Sequence, residues 1–243
     1  MWLPRPRNLI LALVAAGVLL ALGLVIAQDQ ETLRVRTPLA ASEPLFPDYL
    51  ARLVGRAITN GDDYVVLRNG DEAFAAMLAA IDSAQQRISF ETYVYKEGQV
   101  ADAFTRALVA AARRGVTVQV VLDAVGAGGS ERADMKALED AGCQVGWFNP
   151  IRHSMLEEIN YRTHRKILVV DGKVAHVGGL GVADYWMGDA DSKDHWRDTQ
   201  FEVRGPAVDL VRGRLQRPEA AVSADHRCRP PHLGHPIPLL HYG

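Results

Sequence analysis

Between residues 62 and 214, apolar and polar residues follow two periods that alternate along the chain. Short runs rich in valine, isoleucine and aromatic residues are typical of strands. Stretches in which apolar residues recur every three or four positions are typical of helices. Because the two kinds of stretch alternate, the sequence predicts an α/β sandwich, in which helices cover a central sheet.

Seven runs have the length and composition of strands. They are Tyr64–Leu67, Arg87–Tyr95, Val116–Leu122, Gln144–Phe148, Ile167–Val170, Lys173–Val177 and Thr199–Val203. The two runs on either side of Asp171-Gly172 are expected to pair, since Asp-Gly favours a tight hairpin turn. The mostly apolar third run indicates a strand that is covered on both faces.

Helices are predicted between these strands. The first follows the turn Asn69-Gly70-Asp71 and buries one face containing Phe74, Met77, Leu78 and Ile81. The others cover Gln99–Arg114, Glu131–Ala141 and Pro206–Leu215, and a short helix is predicted earlier, at Tyr49–Ile58.

The amino terminus predicts attachment to a membrane. Residues 1–8 form a basic flank, and Leu9–Ala27 is a run of 19 residues without a charge. At about 1.5 Å per residue this run nearly spans a bilayer core of about 30 Å. We expect a single-pass membrane anchor; the alternative is a secretory signal cleaved near Ala27.

Which side of the membrane the domain faces stays open from the sequence. Arg5 and Arg7 before the span favour a domain on the outer side, because positive residues stay in the cytoplasm. Arg34 and Arg36 beyond the span act in the opposite direction.

The segments outside the domain differ from it in composition. Residues 28–61 contain Pro38, Pro44 and Pro47 and are interpreted as a linker. Residues 215–243 form an irregular tail rich in proline and histidine. Its histidines lack the spacing of metal ligands, so no metal site is predicted. The abrupt change near Leu215 is what a frameshift or a premature end would leave.

The chain of 243 residues has a formal net charge of −2. A near-neutral charge gives no general attraction to nucleic acid, which is therefore disfavoured as a partner. Cys143 and Cys228 show no disulfide or metal pattern, so they do not indicate a compartment.

One short motif carries candidate chemistry: His164-Arg-Lys166, followed by Asp171 and then by Gly178-Gly179. On an extended segment, residues two apart point to the same side. An imidazole can attack phosphorus near neutral pH, and a lysine ammonium can neutralise a phosphate oxygen. Arg165, between them, is expected to face the other way.

This motif resembles the His-x-Lys-x4-Asp (HKD) signature of the phospholipase D superfamily, within which the chain looks most like bacterial cardiolipin synthases. That likeness implies that the expected anchor lies in a bacterial inner membrane. The resemblance covers roughly residues 64–211. The stretches that carry it are Asn69-Gly-Asp-Glu-Ala-Phe74, Ile88-Ser-Phe-Glu-Thr-Tyr93, Arg114-Gly-Val-Thr-Val-Gln-Val-Val-Leu-Asp123, Asn160-Tyr-Arg-Thr-His-Arg-Lys166, Asp171-Gly172, Gly178-Gly179 and His195-Trp-Arg-Asp198. Many family members have Asn where this chain has Gly181.

The resemblance implies a mechanism through a phosphohistidine, without metal or cofactor. His164 would be the nucleophile, or the acid if the roles are exchanged, and Lys166 would bind phosphate. Asp198 is the preferred carboxylate to hold the second ring nitrogen of the histidine, with Asp194 as the second choice. Asp171 is a candidate catalytic residue, with turn formation as an equal alternative.

Three further residues are predicted to contact substrate. Gly178 and Gly179 would let backbone approach the ligand, although turn geometry explains them equally well. Arg162 adds positive charge near the motif. Glu91 is assigned to the core, with a place near the site as the alternative.

The family mechanism uses two such motifs, whereas the 243 residues contain one. The chain is therefore expected to be a half-domain. The first functional reading is a membrane-bound phosphatidyltransferase that joins two phosphatidylglycerol molecules into cardiolipin. The second is a phosphodiesterase or nuclease that completes its site as a homodimer. The third is an inactive anchored fragment.

Overall fold

The computed structural model describes residues 13–20, 39–55, 58–128, 132–150 and 161–215. The chain divides into two compact units, Met1–Ile58 and Thr59–Gly243. Most of the predicted anchor Leu9–Ala27, and all but the first residue of the predicted tail, lie outside the described residues. Of the helices in the described ranges, none is both long and apolar enough to cross a bilayer.

In the first unit, residues 13–20 are helical and helix α1 spans Phe46–Val54. The predicted helix began at Tyr49, but the observed one starts earlier because a proline, Pro47, fits the first turn of a helix. It ends before Gly55, whose left-handed conformation (φ 63°) closes the last turn.

The second unit is built on one seven-stranded sheet. Its strands are β1 Asp63–Arg68, β2 Arg87–Thr92, β3 Thr117–Asp123, β4 Gln144–Phe148, β5 Lys166–Val170, β6 Val174–Gly178 and β7 Thr199–Arg204. The order across the sheet is β1-β7-β6-β5-β2-β3-β4. Strands β2, β3 and β4 are parallel, and every other neighbouring pair is antiparallel.

Within the described residues, four α-helices accompany the sheet: α2 Asn69–Ser83, α3 Gln99–Arg113, α4 Arg132–Asp140 and α5 Ala207–Arg212. The first three pack on one face, where they form the larger core with residues such as Leu168 and Val170 of β5. Helix α5 packs on the other face, where Val208 meets Ile167 and Val169. Successive residues of β5 thus enter opposite cores, which confirms the predicted α/β architecture with helices on both faces.

Strand β2 is shorter than the sequence predicts, since it ends at Thr92 instead of Tyr95. Tyr95 leaves the ladder and forms an isolated bridge with Val182. Its hydroxyl is buried and lies 2.6 Å from the hydroxyl of Thr105 on α3. Tyr93 and Tyr95 therefore lie beyond the end of β2, Tyr93 in the loop that follows and Tyr95 in the core.

The strand directions gather several chain segments at one edge of the sheet. Because β5 is antiparallel to β2, the start of β5 lies beside the end of β2, with Lys166 opposite Thr92. The end of β6 and the start of β7 reach the same edge, with Gly178 opposite Gln200. The carboxyl ends of parallel strands are where open α/β sheets usually bind ligands.

Candidate active site

His164 and Lys166 lie on the same side of the segment that enters β5, as the sequence predicts. Both approach the ring of Tyr93, which follows β2. The imidazole and phenol ring centroids are 4.8 Å apart, and the lysine Nζ lies 5.3 Å from the phenol centroid. The Nζ also donates a hydrogen bond to the His164 carbonyl oxygen (3.0 Å). Tyr93 thus packs against both side chains of the motif.

The residues between and before the motif pair face the opposite way, toward Glu91. The Thr163 hydroxyl donates a hydrogen bond to the Glu91 carboxylate. The Arg165 guanidinium lies 3.4 Å from the same carboxylate, which is fully buried. Glu91 therefore contacts the motif segment on the face opposite to His164 and Lys166, and it lies next to the site.

Lys166 is buried, with 5% of its surface exposed, and its surroundings change its acidity. Burial lowers the pKa of the Lys166 ammonium, and the charge of the nearby Asp198 carboxylate opposes this shift. His164, by contrast, is exposed. A cation below an accessible imidazole is an arrangement that can receive an anion at the surface and neutralise it underneath.

Asp198 is held at this edge by the first residue of α2. The Asn69 N–H donates to the Asp198 carbonyl (3.0 Å), and the Asp198 N–H donates to the Asn69 side-chain oxygen (3.2 Å). Asn69 has a left-handed conformation (φ 55°), and its amide nitrogen donates to Asp189 (2.6 Å). One carboxylate oxygen of Asp198 accepts the Thr199 N–H. Because of these bonds the carboxylate is fixed beside Lys166.

Within the described residues, neither ring nitrogen of His164 makes a hydrogen bond. The predicted contact between Asp198 and the imidazole is therefore not formed here, although Asp198 is at the site. The second choice, Asp194, is 77% exposed in its side chain and pairs with Lys193 at 3.8 Å.

The glycines at positions 178 and 179 are required by contacts within the protein. A Cβ on Gly178 would meet the Gln200 carboxamide oxygen and lie 2.7 Å from the Gln200 Cα. A Cβ on Gly179 would lie 2.6 Å from the Asp198 Cγ. The missing side chains leave room for two residues of the β7 segment, so the space predicted for ligand is occupied by protein.

Arg162 is engaged inside the protein. Its guanidinium lies 3.4 Å from the fully buried Asp123 carboxylate and donates to the Asn149 carbonyl (2.9 Å). Asp123 also accepts the backbone N–H of Thr163 (3.0 Å). These contacts hold the segment that leads into the motif. The guanidinium of Arg162, which the sequence predicted to contact substrate, is engaged by protein groups here.

Asp171 lies at the other end of β5, about 16 Å from Lys166 at the rise of an extended strand. Its carboxylate accepts the backbone N–H groups of Gln85, Gln86 and Arg87 (2.8–2.9 Å). Desolvation raises the pKa of Asp171, but these hydrogen bonds outweigh it and the net shift is downward. On this geometry Asp171 forms the hairpin turn, the alternative to a catalytic role, and ties that turn to the start of β2.

The absence of Asn at position 181 has a packing explanation. A Cβ on Gly181 would lie 2.7 Å from the Val94 Cβ and 2.8 Å from Cζ3 of Trp186. The indole of Trp186 occupies the space that an asparagine side chain would need.

Sequence reasoning missed three residues at this edge: Tyr93, Asn69 and Gln200. Gln200 is fully buried on β7. Its position beside Gly178 depends on strand pairing across 22 residues of sequence, which local periodicity does not reveal. A polar residue at an inward position of a strand was the available signal.

The donor set at this edge suits an oxyanion. Lys166 supplies a cation, His164 a nucleophile or an acid, and Asp198 a compensating carboxylate. Among the described residues, no group of three or more His, Cys, Asp or Glu side chains is arranged to hold a metal ion.

Comparison with known proteins gives one family. The family model for the cardiolipin synthase, phospholipase D-like domain matches residues 77–184. Cardiolipin synthase 1 of Bacillus anthracis is 31% identical over 72% of this chain and 35% of its own length. Cardiolipin synthase of Geobacillus kaustophilus (strain HTA426) is 34% identical over 71% of this chain and 35% of its own length. The chain thus spans about a third of the length of these relatives.

Among solved structures, NucT from Helicobacter pylori has a TM-score of 0.50 at 13% sequence identity. The match covers 66% of this chain and 97% of that one. At this identity the likeness concerns the fold alone. The residues that match the family model, 77–184, include His164, Lys166 and the glycine pair. The chain belongs to the phospholipase D superfamily, and within it is similar to bacterial cardiolipin synthases.

Proposed function

We propose that this chain supplies one half of an active site for phosphatidyl transfer of the cardiolipin synthase type. The observation that carries the proposal is the edge of the sheet at which His164 and Lys166 share one side and Asp198 lies beside them. The names of the relatives at 31–34% identity support the same class of reaction.

In the proposed first step, His164 attacks the phosphorus of phosphatidylglycerol. A phosphorus–nitrogen bond forms, the bond to the glycerol oxygen breaks, and a second histidine protonates the departing glycerol. In the second step, a hydroxyl of another phosphatidylglycerol attacks the phosphohistidine and passes its proton back. The products are cardiolipin and glycerol, and His164 is regenerated.

The chain's own residues have distinct tasks in these steps. Lys166 neutralises a non-bridging oxygen as negative charge develops, since it is a buried cation next to the nucleophile. Asp198 raises the pKa of the ammonium against the larger, opposite effect of burial. Tyr93 packs on both motif side chains and limits their rotation. The apolar run Leu9–Ala27 would keep the domain at the bilayer, where a phospholipid substrate resides.

A second candidate is a phosphodiesterase whose second histidine comes from another copy of the chain. It is favoured by the single His-x-Lys motif among the eight histidines of the 243 residues. In a twofold dimer, His164 of each copy would serve as nucleophile or acid for the other.

Both candidates are tested with the purified full chain in detergent. Glycerol release from phosphatidylglycerol and cleavage of a diester model substrate are measured after sedimentation has separated monomer from dimer. Turnover is expected in the dimer only, with loss in His164→Ala and retention in the matched variant His195→Ala. Turnover by a demonstrated monomer would contradict the half-site. A dimer inert toward both substrates would contradict the second candidate.

A further inference from the structure

Gln200 is a buried polar residue that its surroundings do not satisfy. Its side chain has no exposed surface, and neither its carboxamide nitrogen nor its oxygen has a hydrogen-bond partner among the residues that the structure describes. Native proteins leave few such groups unpaired, because each one loses its hydrogen bonds to water on folding. A group of this kind at the edge of a candidate active site points to a ligand.

The strand register places Gln200 in line with Lys166. Gln200 pairs with Gly178 across β7 and β6. One rung beyond the Ile167–Val177 pair, Gly178 lies opposite Lys166 on β5. With neighbouring strands about 4.8 Å apart, the two backbones are about 10 Å apart. Two long side chains can meet a common group across that distance.

Both side chains also belong to the same face of the sheet. Gln200 is paired with Leu67, and Lys166 lies two residues before Leu168; both leucines belong to the larger core. The residue between them, Gly178, has no side chain, and the Gln200 carboxamide oxygen lies too close to its Cα for a Cβ to fit there. No side chain of the intervening strand therefore separates the carboxamide from the lysine.

The chemistry of the pair is complementary. A phosphoryl group presents several oxygens, and Lys166 has one of its three N–H donors already engaged by the His164 carbonyl. A carboxamide offers two neutral N–H donors in a fixed plane. We propose that Gln200 is a further phosphate-contacting residue, which donates an N–H to a non-bridging oxygen of the phosphoryl group bound by Lys166.

This inference rests on the proposed function, since it takes the ligand of Lys166 to be a phosphoryl group. The alternative is that Gln200 only fills space above Gly178. The two differ in what a leucine at this position does. An apolar side chain of similar size relieves an unpaired buried amide, so the fold keeps or gains stability, but it offers no donor to a phosphate.

The test titrates the full chain with inorganic phosphate, followed by phosphorus-31 resonance broadening, and records thermal unfolding without phosphate. For Gln200→Leu we expect at least about a tenfold weaker affinity and an unfolding midpoint no lower than that of the native chain. The matched variant is Gln119→Leu, whose amide is bonded to Gln144 (2.8 Å) on the distant β3–β4 side of the sheet. It is expected to bind phosphate as the native chain does. Lys166→Met tests the site itself.

The outcomes separate the two levels of the proposal. Native-like phosphate affinity in Gln200→Leu, with loss in Lys166→Met, overturns the role of Gln200 and leaves the proposed function standing. Native-like affinity in Lys166→Met overturns both. Should Gln200→Leu fail to fold, Gln200→Glu keeps the shape and adds a negative charge beside the bound anion. Weaker phosphate binding is expected of it, and unchanged binding would refute the contact.

Discussion

The two ends of strand β5 carry the two ends of one sequence motif, and they differ in how their polar groups are paired. At the far end, the Asp171 carboxylate accepts three backbone N–H groups from the start of β2. At the near end, the His164 ring makes no hydrogen bond to a described residue, and Lys166 has one bond, to a carbonyl. The buried Gln200 carboxamide beside them is unpaired as well.

Within this one motif, the polar groups at one end contribute to stability and those at the other end stay available for a ligand. Hydrogen bonds that are complete in the folded chain stabilise it and have nothing left for a ligand. Groups that are buried or held in place without partners cost stability and keep their donors free. We therefore expect substitutions at the near end to lower activity and substitutions at the far end to lower stability.

The largest effect is expected for His164→Ala. Removal of the proposed nucleophile should lower turnover of phosphatidylglycerol by at least about a thousandfold. The side chain is exposed, so the free energy of unfolding should change by no more than about 0.5 kcal/mol. Glycerol release and urea unfolding of the same preparation provide the two measurements. A large loss of stability would erase the contrast between the two ends of β5.

Asp198→Asn tests the negative charge beside Lys166 at the near end of β5. We expect about a hundredfold loss of turnover, since the amide keeps the shape and removes the negative charge. The Asp198 carboxylate raises the pKa of Lys166 against the effect of burial. Without it, the pKa of Lys166 falls further and the alkaline decline of the rate moves to lower pH. A pH–rate profile of the variant that coincides with the native one would show that the two groups are not coupled.

Asp171→Ala tests the far end. Loss of a charged acceptor for three N–H groups should lower the free energy of unfolding by about 2 to 3 kcal/mol. Turnover per folded molecule should stay native, and a fall comparable to that of His164→Ala would instead return Asp171 to the catalytic residues.

The sign of the pH dependence at Asp171 follows from its lowered pKa. The ionised form is favoured in the folded chain, so its contribution is present above the ordinary aspartate pKa of about 4 and is lost as pH falls through the folded value. Urea unfolding of Asp171→Ala should therefore show a weaker decline below about pH 4 than the native chain shows.

A smaller change in the free energy of unfolding is expected from His176 on β6, which lies away from both ends of β5. This histidine is fully buried, and desolvation lowers its pKa to about 4, with Glu202 opposing at 3.8 Å. The unfolded chain binds the proton first, so stability is full above about pH 6.5 and falls between there and pH 4. From pH 7.5 to pH 5 we expect a loss of about 2 kcal/mol from this residue.

His176→Gln removes that titration. Urea unfolding at the two pH values should give a smaller difference for the variant than for the native chain. An identical difference would show that the loss of stability in acid comes from other residues. The comparison distinguishes a histidine that controls stability from His164, which is assigned to chemistry.

The elements that the sequence predicted well depend on local pattern. Alternation placed His164 and Lys166 on one side and Arg165 on the other, and periodicity found all seven strands of the sheet, with no end displaced by more than three residues. These features follow from the two-residue repeat of a strand and the 3.6-residue repeat of a helix.

The contacts that the sequence did not predict depend on partners far away in sequence. Asp171 binds N–H groups 84 to 86 residues earlier, and the guanidinium of Arg162 is held 39 residues earlier by Asp123. The space beside the glycine pair is filled from β7. A charge or a glycine in a motif shows which chemistry is available, whereas the pairing of strands decides whether another residue has already used it.

The most direct test of the near end of β5 as a phosphoryl-transfer site is the detection of a covalent adduct. The purified chain is mixed with phosphatidylglycerol, quenched in denaturant at mildly alkaline pH to preserve the phosphorus–nitrogen bond, digested and analysed by mass spectrometry. We predict a phosphatidyl adduct on the peptide that contains His164, absent from His164→Ala and present in Asp171→Ala. Turnover by the native chain with no adduct, or with the adduct on another residue, would contradict the assignment.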